Sequence, residues 1–238
     1  MERSELISIR LDLIKRHFHP SHVPTLVAVT KKQPVSDIEF AYRAGVRDFG
    51  ENRVDELLEK AKECERLGLD DICWHFIGQI QSKKIPKLLS VKNLVAIHSI
   101  DSHVTLQNLM KRQDDFNGHN LRLFLQVNTS NENEKSGFIE WDELAAAINL
   151  LLNNEGQAFE LYGLMTMSKL RTNNFEEDAL KCFNQLKKIK VSLIKDFHLH
   201  DLKLSMGMSN DFEVALQAGT DYLRLGSSIF APDQRDRE

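Results

Sequence analysis

Val27-Ala28-Val29-Thr30-Lys31, Pro34-Val35-Ser36-Asp37-Ile38-Glu39, Ala44-Gly45 and Phe49-Gly50 follow one another in one short stretch of the chain. The first is an apolar run of strand type, the second opens a helix, the third stops it and the fourth closes another strand. Ser36 and Glu39 have the spacing of a reciprocal capping box with Pro34 just outside, and Gly45 supplies the left-handed residue that ends a helix. Strand, helix and strand in that order read as a parallel pair joined by a helical crossover. The unit recurs: Asp37-Ile38-Glu39-Phe40-Ala41-Tyr42-Arg43-Ala44-Gly45 echoes Asp211-Phe212-Glu213-Val214-Ala215-Leu216-Gln217-Ala218-Gly219, and the second copy is followed by a strand ending in Leu225-Gly226.

Outward from these two copies, strands are expected near 24–30, 46–49, 73–77, 94–98, 121–127, 159–164, 202–205 and 221–225. Helices are expected near 36–44, 53–67, 81–90, 102–112, 141–153, 175–195 and 210–218, with an extra N-terminal helix near 4–17. Eight strands with interleaved helices favour an α/β fold of the closed (β/α)8 TIM-barrel type over an open doubly wound sheet. No long linker or composition break divides the 238 residues, so one domain over 1–238 is expected.

Composition narrows the function. A formal net charge of −4 argues against general affinity for nucleic acid, which needs concentrated positive charge. The one basic cluster, Lys83-Lys84-Ile85-Pro86-Lys87, reads as a solvated helix face or an anion site. No apolar run approaches the roughly 18 residues of a membrane span, and the charged N-terminus lacks a signal core, so a cytoplasmic protein is expected. Cys64, Cys73 and Cys182 are odd in number and widely spaced, which suggests reduced thiols. His17, His19 and His22 crowd around Pro20 without a carboxylate or thiolate at ligand spacing and are assigned to a surface turn, so no metal site is expected.

In such a barrel the active face lies at the C-terminal ends of the strands. Lys31 closes the first, and by strand parity it shares a face with Val27 and Val29, where partial desolvation would favour a neutral, nucleophilic amine. The alternative is a lysine whose head reaches solvent. Arg224, between Leu223 and Leu225 on the last strand, is expected to face inward, where a buried guanidinium needs an acceptor. That acceptor is either an internal carboxylate or a ligand. Met208-Ser209-Asn210, with Asn210 and Glu213 spaced as a capping pair, and Gly226-Ser227-Ser228 lie after strands seven and eight, where backbone N–H groups and hydroxyls can hold a phosphate. An aldehyde that carries a phosphate, bound by a lysine imine, is pyridoxal 5'-phosphate (PLP). With a permanent cation beside its pyridine nitrogen, that cofactor would be a weak electron sink. Asn52, His75, Asn128 and Met165 stand at other strand ends and could line the ring pocket, though Asn52 could equally cap a helix and His75 could be a hydrogen-bonded core residue.

At these residues the chain resembles the pyridoxal phosphate homeostasis (PLP-binding protein) family, related to the barrel domain of alanine racemase. The likeness runs over nearly the whole chain, through Val27 to Lys31, Phe49-Gly50-Glu51-Asn52, Trp74-His75-Phe76-Ile77-Gly78, Gln126-Val127-Asn128, Lys135-Ser136-Gly137, Gly163-Leu164-Met165, Ser205-Met206-Gly207-Met208-Ser209 and Arg224 to Phe230. The resemblance implies the PLP barrel of fold type III, with the PLP imine on Lys31, Arg224 at the pyridine nitrogen, and Ser209, Gly226 and Ser227 at the phosphate. Thr30, Lys83 and Ala231-Pro232 depart from the family's usual residues, and Lys83 adds charge near the third strand's loop.

The resemblance implies a PLP carrier in intracellular vitamin B6 homeostasis, with no established turnover, no assigned catalytic residue and PLP-dependent apoenzymes as candidate partners. The competing enzyme is a small PLP-dependent amino-acid racemase. By the same resemblance a racemase would add a C-terminal β-domain and a tyrosine base, whereas Tyr42, Tyr162 and Tyr222 all fall inside helices or strands. Without that domain the racemase dimer contact is absent, and a monomer is expected. A third possibility is a structural barrel without cofactor.

Overall fold

The computed structural model describes residues 1–130, 132, 134–154, 158–169 and 172–232. Its strands are β1 (Thr25–Val29), β2 (Asp48–Glu51), β3 (Cys73–Phe76), β4 (Leu94–Ile100), β5 (Leu121–Gln126), β6 (Phe159–Met165), β7 (Lys203–Ser205) and β8 (Tyr222–Leu225). All pair in parallel and in sequence order, and β8 returns to β1 with Val27 opposite Arg224, so the expected (β/α)8 barrel is closed. Helix α1 (Arg3–Lys15) precedes the barrel. The crossover helices are α2 (Val35–Arg43), α3 (Val54–Arg66), α4 (Ile85–Leu89), α5 (His103–Met110), α6 (Trp141–Leu152), α7 (Phe175–Asp196) and α8 (Phe212–Gln217), and the short α9 (Ser227–Phe230) follows β8.

Strand alternation sorts side chains into two cores. The outer one fills the space between sheet and helices, with Ala28, Phe49, Trp74 and Leu223 from strands meeting Ile38, Leu57 and Phe183 from helices. The inner one, Val27, Ala96, Phe124, Met165 and Tyr222, plugs the barrel. Ile7, Leu11 and Ile14 of α1 are buried, and Arg3 ties that helix to Asp37 of α2.

The predicted caps fail. Helix α2 starts at Val35, one residue early, with Pro34 at the N-cap, so Ser36 lies inside the first turn and Glu39 pairs with Arg43 instead. Gly45 ends the helix at φ +90°, as expected. Asn210 and Glu213 form no cap either: α8 starts at Phe212, and the Asp211 carboxylate closes the turn by accepting the Met208 N–H at 2.5 Å. The segment near 81–90 divides into a 3-10 turn over Ser82–Lys84 and α4, with Pro86 in the first turn of the α-helix.

Lys84 and Lys87 of the basic cluster both engage Asp55 on α3, at 2.8 and 2.5 Å, and hold its carboxyl down at about 2. All three cysteines are unpaired. His19 and His22 bracket a turn at Pro20, and the His22 Nε2 bonds the Thr220 carbonyl. Among the described residues, no helix is long and apolar enough to cross a membrane.

Candidate functional site

At the C-terminal end of the barrel opens a cavity of about 500 Å³. Lys31, Asn52, Met165, Ser209, Arg224, Gly226 and Ser227 all line it. A neighbouring depression shares Lys31, Asn52, Gly226 and Ser227 and widens the mouth toward α9.

On the β8 side, Arg224 is only 5% exposed. Its Nη1 donates to Ser205 Oγ at 2.6 Å and its Nη2 to the Thr166 carbonyl at 2.9 Å, so neutral oxygens take the place of the carboxylate that sequence left open. Burial pulls its pKa down to about 10, offset in part by the Asp211 carboxylate, and it stays a cation at neutral pH. Above it, the backbone N–H groups of Gly226 and Ser228 converge on the Ser209 hydroxyl oxygen at 3.1 Å each, and the Ser209 and Ser228 hydroxyls lie 3.1 Å apart. These are the groups that cradle an anion when they turn to a ligand oxygen. The β7–α8 turn that delivers Ser209 depends on Gly207, at φ +94°, where a Cβ would come within 2.5 Å of Ala215 Cβ.

On the β1 side, Lys31 lies two residues beyond its strand and is exposed, and its amine makes no hydrogen bond or ion pair among the described residues. This is the alternative the sequence left open, a lysine whose head reaches solvent. Behind it, on the outer face of the sheet, Lys60 donates to the Thr30 carbonyl at 2.7 Å and pairs with Glu51 at 2.5 Å, while the Thr30 hydroxyl donates to the same carboxylate oxygen at 2.7 Å. This buried triad ties the ends of β1 and β2 to α3. Asn52 does not cap α3, whose N-cap is Arg53, and faces the cavity instead. Gly78 makes room for it: a Cβ there would lie 1.9 Å from the Asn52 carbonyl oxygen.

Two predicted residues do not line the cavity. His75 is fully buried inside the barrel, its Nε2 bonded to Asp48 and its Nδ1 to His98, each at 2.9 Å. Asn128 spends its amide on the loop after β5, donating to the Glu132 and Lys135 carbonyls at 3.0 Å each. A polar residue at a strand end can serve its own loop or the barrel interior as readily as a ligand. His98 is the polar residue the sequence reading lacks, and its signal is a histidine two residues from Ala96 in an apolar strand; Ser205, part of the resemblance, turns out to be its partner. Met208, Asn210 and Asp211 also line the cavity, and the Asp211 carboxylate is occupied by Met208 and Ser168. Tyr162 and Tyr222 do not reach it: their hydroxyls bond each other at 3.3 Å beneath the inner core, and burial raises the Tyr222 phenol pKa.

The fold and its mouth define a (β/α)8 barrel that gathers an amine, a guanidinium and paired backbone N–H groups at the C-terminal ends of its strands. The family model "Alanine racemase, N-terminal domain" matches residues 5–233. The pyridoxal phosphate homeostasis protein of Schizosaccharomyces pombe is 37% identical over 223 residues, covering 92% of this chain and 90% of that one. The structure of PipY from Synechococcus elongatus with PLP bound superposes with a TM-score of 0.80 at 31% identity, covering 94% of this chain and all of that one. Alanine racemase from Corynebacterium glutamicum shares the fold, with a TM-score of 0.72 at 13% identity over 97% of this chain and 62% of the racemase. The chain belongs to the pyridoxal phosphate homeostasis protein family within the alanine racemase N-terminal domain group.

Proposed function

We propose that this chain binds PLP across the mouth of its barrel and serves PLP homeostasis, holding the cofactor without turning over a substrate of its own. The observation that carries the reading is the convergence of a primary amine, a guanidinium and paired backbone N–H groups on one cavity. The donor set fits the molecule. Its volume of about 500 Å³ suits a small aromatic ligand, and amine, cation and anion cradle match an aldehyde, a ring nitrogen and a phosphate. When bound, PLP supplies an electrophilic carbon and an aromatic electron sink.

Lys31 would hold the aldehyde end, its amine condensing with the aldehyde with loss of water. Arg224 would hold the pyridine side as a permanent cation, which would keep the ring nitrogen unprotonated and the ring a poor sink for carbanions. Ser209, Gly226 and Ser227 would hold the phosphate, and Asn52 and Met165 would border the ring. The names of the curated relatives and the PLP in the PipY structure support this reading. An exposed Lys31 suits reversible loading, and apoenzymes that require PLP are the partner class it implies. A racemase needs a second proton donor facing the first, and among the described residues no tyrosine lines the cavity.

An absorbance titration with PLP, run beside pyridoxal, tests the proposal. Saturable uptake of PLP, much weaker uptake of pyridoxal, and no enzymic exchange of amino-acid α-protons in deuterated water are expected. A spectrum unchanged by PLP overturns the binding reading. Sustained α-proton exchange replaces the carrier with the racemase.

A further inference from the structure

Beneath Arg224 a line of hydrogen bonds crosses the barrel from mouth to floor. Arg224 Nη1 donates to Ser205 Oγ at 2.6 Å, Ser205 Oγ meets His98 Nδ1 at 2.8 Å, His98 Nε2 meets His75 Nδ1 at 2.9 Å, and His75 Nε2 meets Asp48 Oδ1 at 2.9 Å. Five strands contribute: β8, β7, β4, β3 and β2. Ser205, His98 and His75 are wholly buried, and Asp48 opens β2 at the floor with its side chain 31% exposed.

The chemistry of the ends orders the middle. Ionised Asp48 only accepts and Arg224 only donates. His75 must therefore carry its hydrogen on Nε2, which leaves its Nδ1 to accept from His98 Nε2. His98 Nδ1 then accepts the Ser205 hydroxyl, whose oxygen is free for Arg224. One arrangement satisfies every group, with all bonds pointing the same way and both imidazoles neutral. A further proton on the pair would turn the His98 ring's donor toward a Ser205 oxygen that already accepts from Arg224, and would add a buried charge near the guanidinium. Burial, with His75 and Arg224 alongside, holds the His98 pKa well below the ordinary imidazole range. The groups facing the pair are Asp48 from β2, Arg224 and Tyr222 from β8, and the Phe124 ring stacked on His98 at 4.2 Å. Asp211 lies beyond Arg224, and Tyr162, under Arg122, lies at the floor.

We propose that Ser205, His98, His75 and Asp48 are positioning residues for Arg224, a one-directional relay that aims the guanidinium at the ring nitrogen of a bound pyridine. The proposal rests on the PLP reading of the mouth. None of these four residues lines the cavity, so the proposed effect is on the direction and electronics of Arg224.

The test uses the full chain and two readouts. In nitrogen-15 spectra of the imidazoles without PLP, His98 is expected to carry its hydrogen on Nε2 and to stay neutral at about pH 6.5, where an ordinary histidine is half protonated. A His98 hydrogen on Nδ1, or a second proton taken up above that pH, overturns the relay. In PLP titrations, His98→Phe and the smaller change Ser205→Ala are expected to keep the borohydride-reducible adduct, shift its absorption band, and weaken PLP binding roughly tenfold, the worth of about one charge-assisted hydrogen bond. Ser205→Thr, which keeps the hydroxyl, restores both. Wild-type band and affinity in folded Ser205→Ala overturn the positioning role alone, whereas a wild-type protein that takes up no PLP overturns the reading of the mouth and the relay's purpose with it, while the imidazole spectra still judge the relay's geometry.

Discussion

On the β1 side of the mouth the functional group is a solvent-exposed amine without a bonded partner among the described residues, while on the β7–β8 side Arg224 is buried and Ser209, Gly226 and Ser228 are already bonded to one another. The second wall is preorganised: its donors are aimed before a ligand arrives, so little ordering remains to be done on binding. The first wall leaves its amine exposed and has its hydrogen bonds behind the sheet, in the Thr30, Glu51 and Lys60 triad. Under the proposed PLP reading, the fixed groups would meet ring and phosphate and the exposed amine would meet the aldehyde.

Each wall can be broken separately. The largest effect on stability is expected behind β1. Lys60→Met leaves the fully buried Glu51 carboxylate without its cation, which should cost about 3–5 kcal/mol in denaturant unfolding. Adding Glu51→Gln should recover much of that, and a double variant no better than the single one would show that the triad is not the support described.

Beneath β8 the expected effect depends on pH. Because burial depresses the His98 pKa in the folded protein, the unfolded chain binds a proton below about pH 6.5 that the folded chain refuses. Stability should therefore rise with pH up to about 6.5 by as much as ~1.4 kcal/mol per pH unit, and level off below the folded-state pKa. Urea midpoints between pH 5 and 7 check this, and His98→Phe should flatten the slope. An equal slope in that variant would place the buried proton linkage elsewhere.

The smallest effect belongs to the anion cradle. Ser209→Ala removes the oxygen on which the Gly226 and Ser228 N–H groups converge, which should cost about 1 kcal/mol of stability. Since those N–H groups can still reach a phosphate, PLP affinity should fall only several-fold, while the preference for PLP over pyridoxal narrows.

The strands were legible because apolar runs at 27–29, 121–125 and 222–225 end in glycine, lysine or polar turns, and the glycines at 45 and 219 stop the helices before β2 and β8. The caps were not legible. A one-residue shift at Val35 moves Ser36 inside the helix, and the turn before α8 is closed by Asp211, whose carboxylate reaches back to a backbone N–H that spacing rules do not anticipate. In the site, residues in the short turns after strands, such as Lys31, Asn52, Ser209 and Gly226, could be placed at the cavity from sequence because the barrel presents such positions on one face. His75 and Asn128 looked equivalent but turn to the interior and to a loop, a choice set by partners such as Asp48 and Glu132 that sequence distance conceals. The relay beneath Arg224 was hidden for the same reason: its five members are spread over the whole chain and meet only when the barrel closes.

The central claim, that the exposed amine after β1 and the buried and bonded groups of the β7–β8 side hold the two ends of one PLP molecule, is tested most directly by reducing the PLP-loaded protein with borohydride and locating the pyridoxyl group by mass spectrometry. The account predicts a single modified residue, Lys31, and loss of the adduct in Lys31→Ala. An equal quantity of pyridoxyl on another lysine, in the wild type or in that variant, would contradict it.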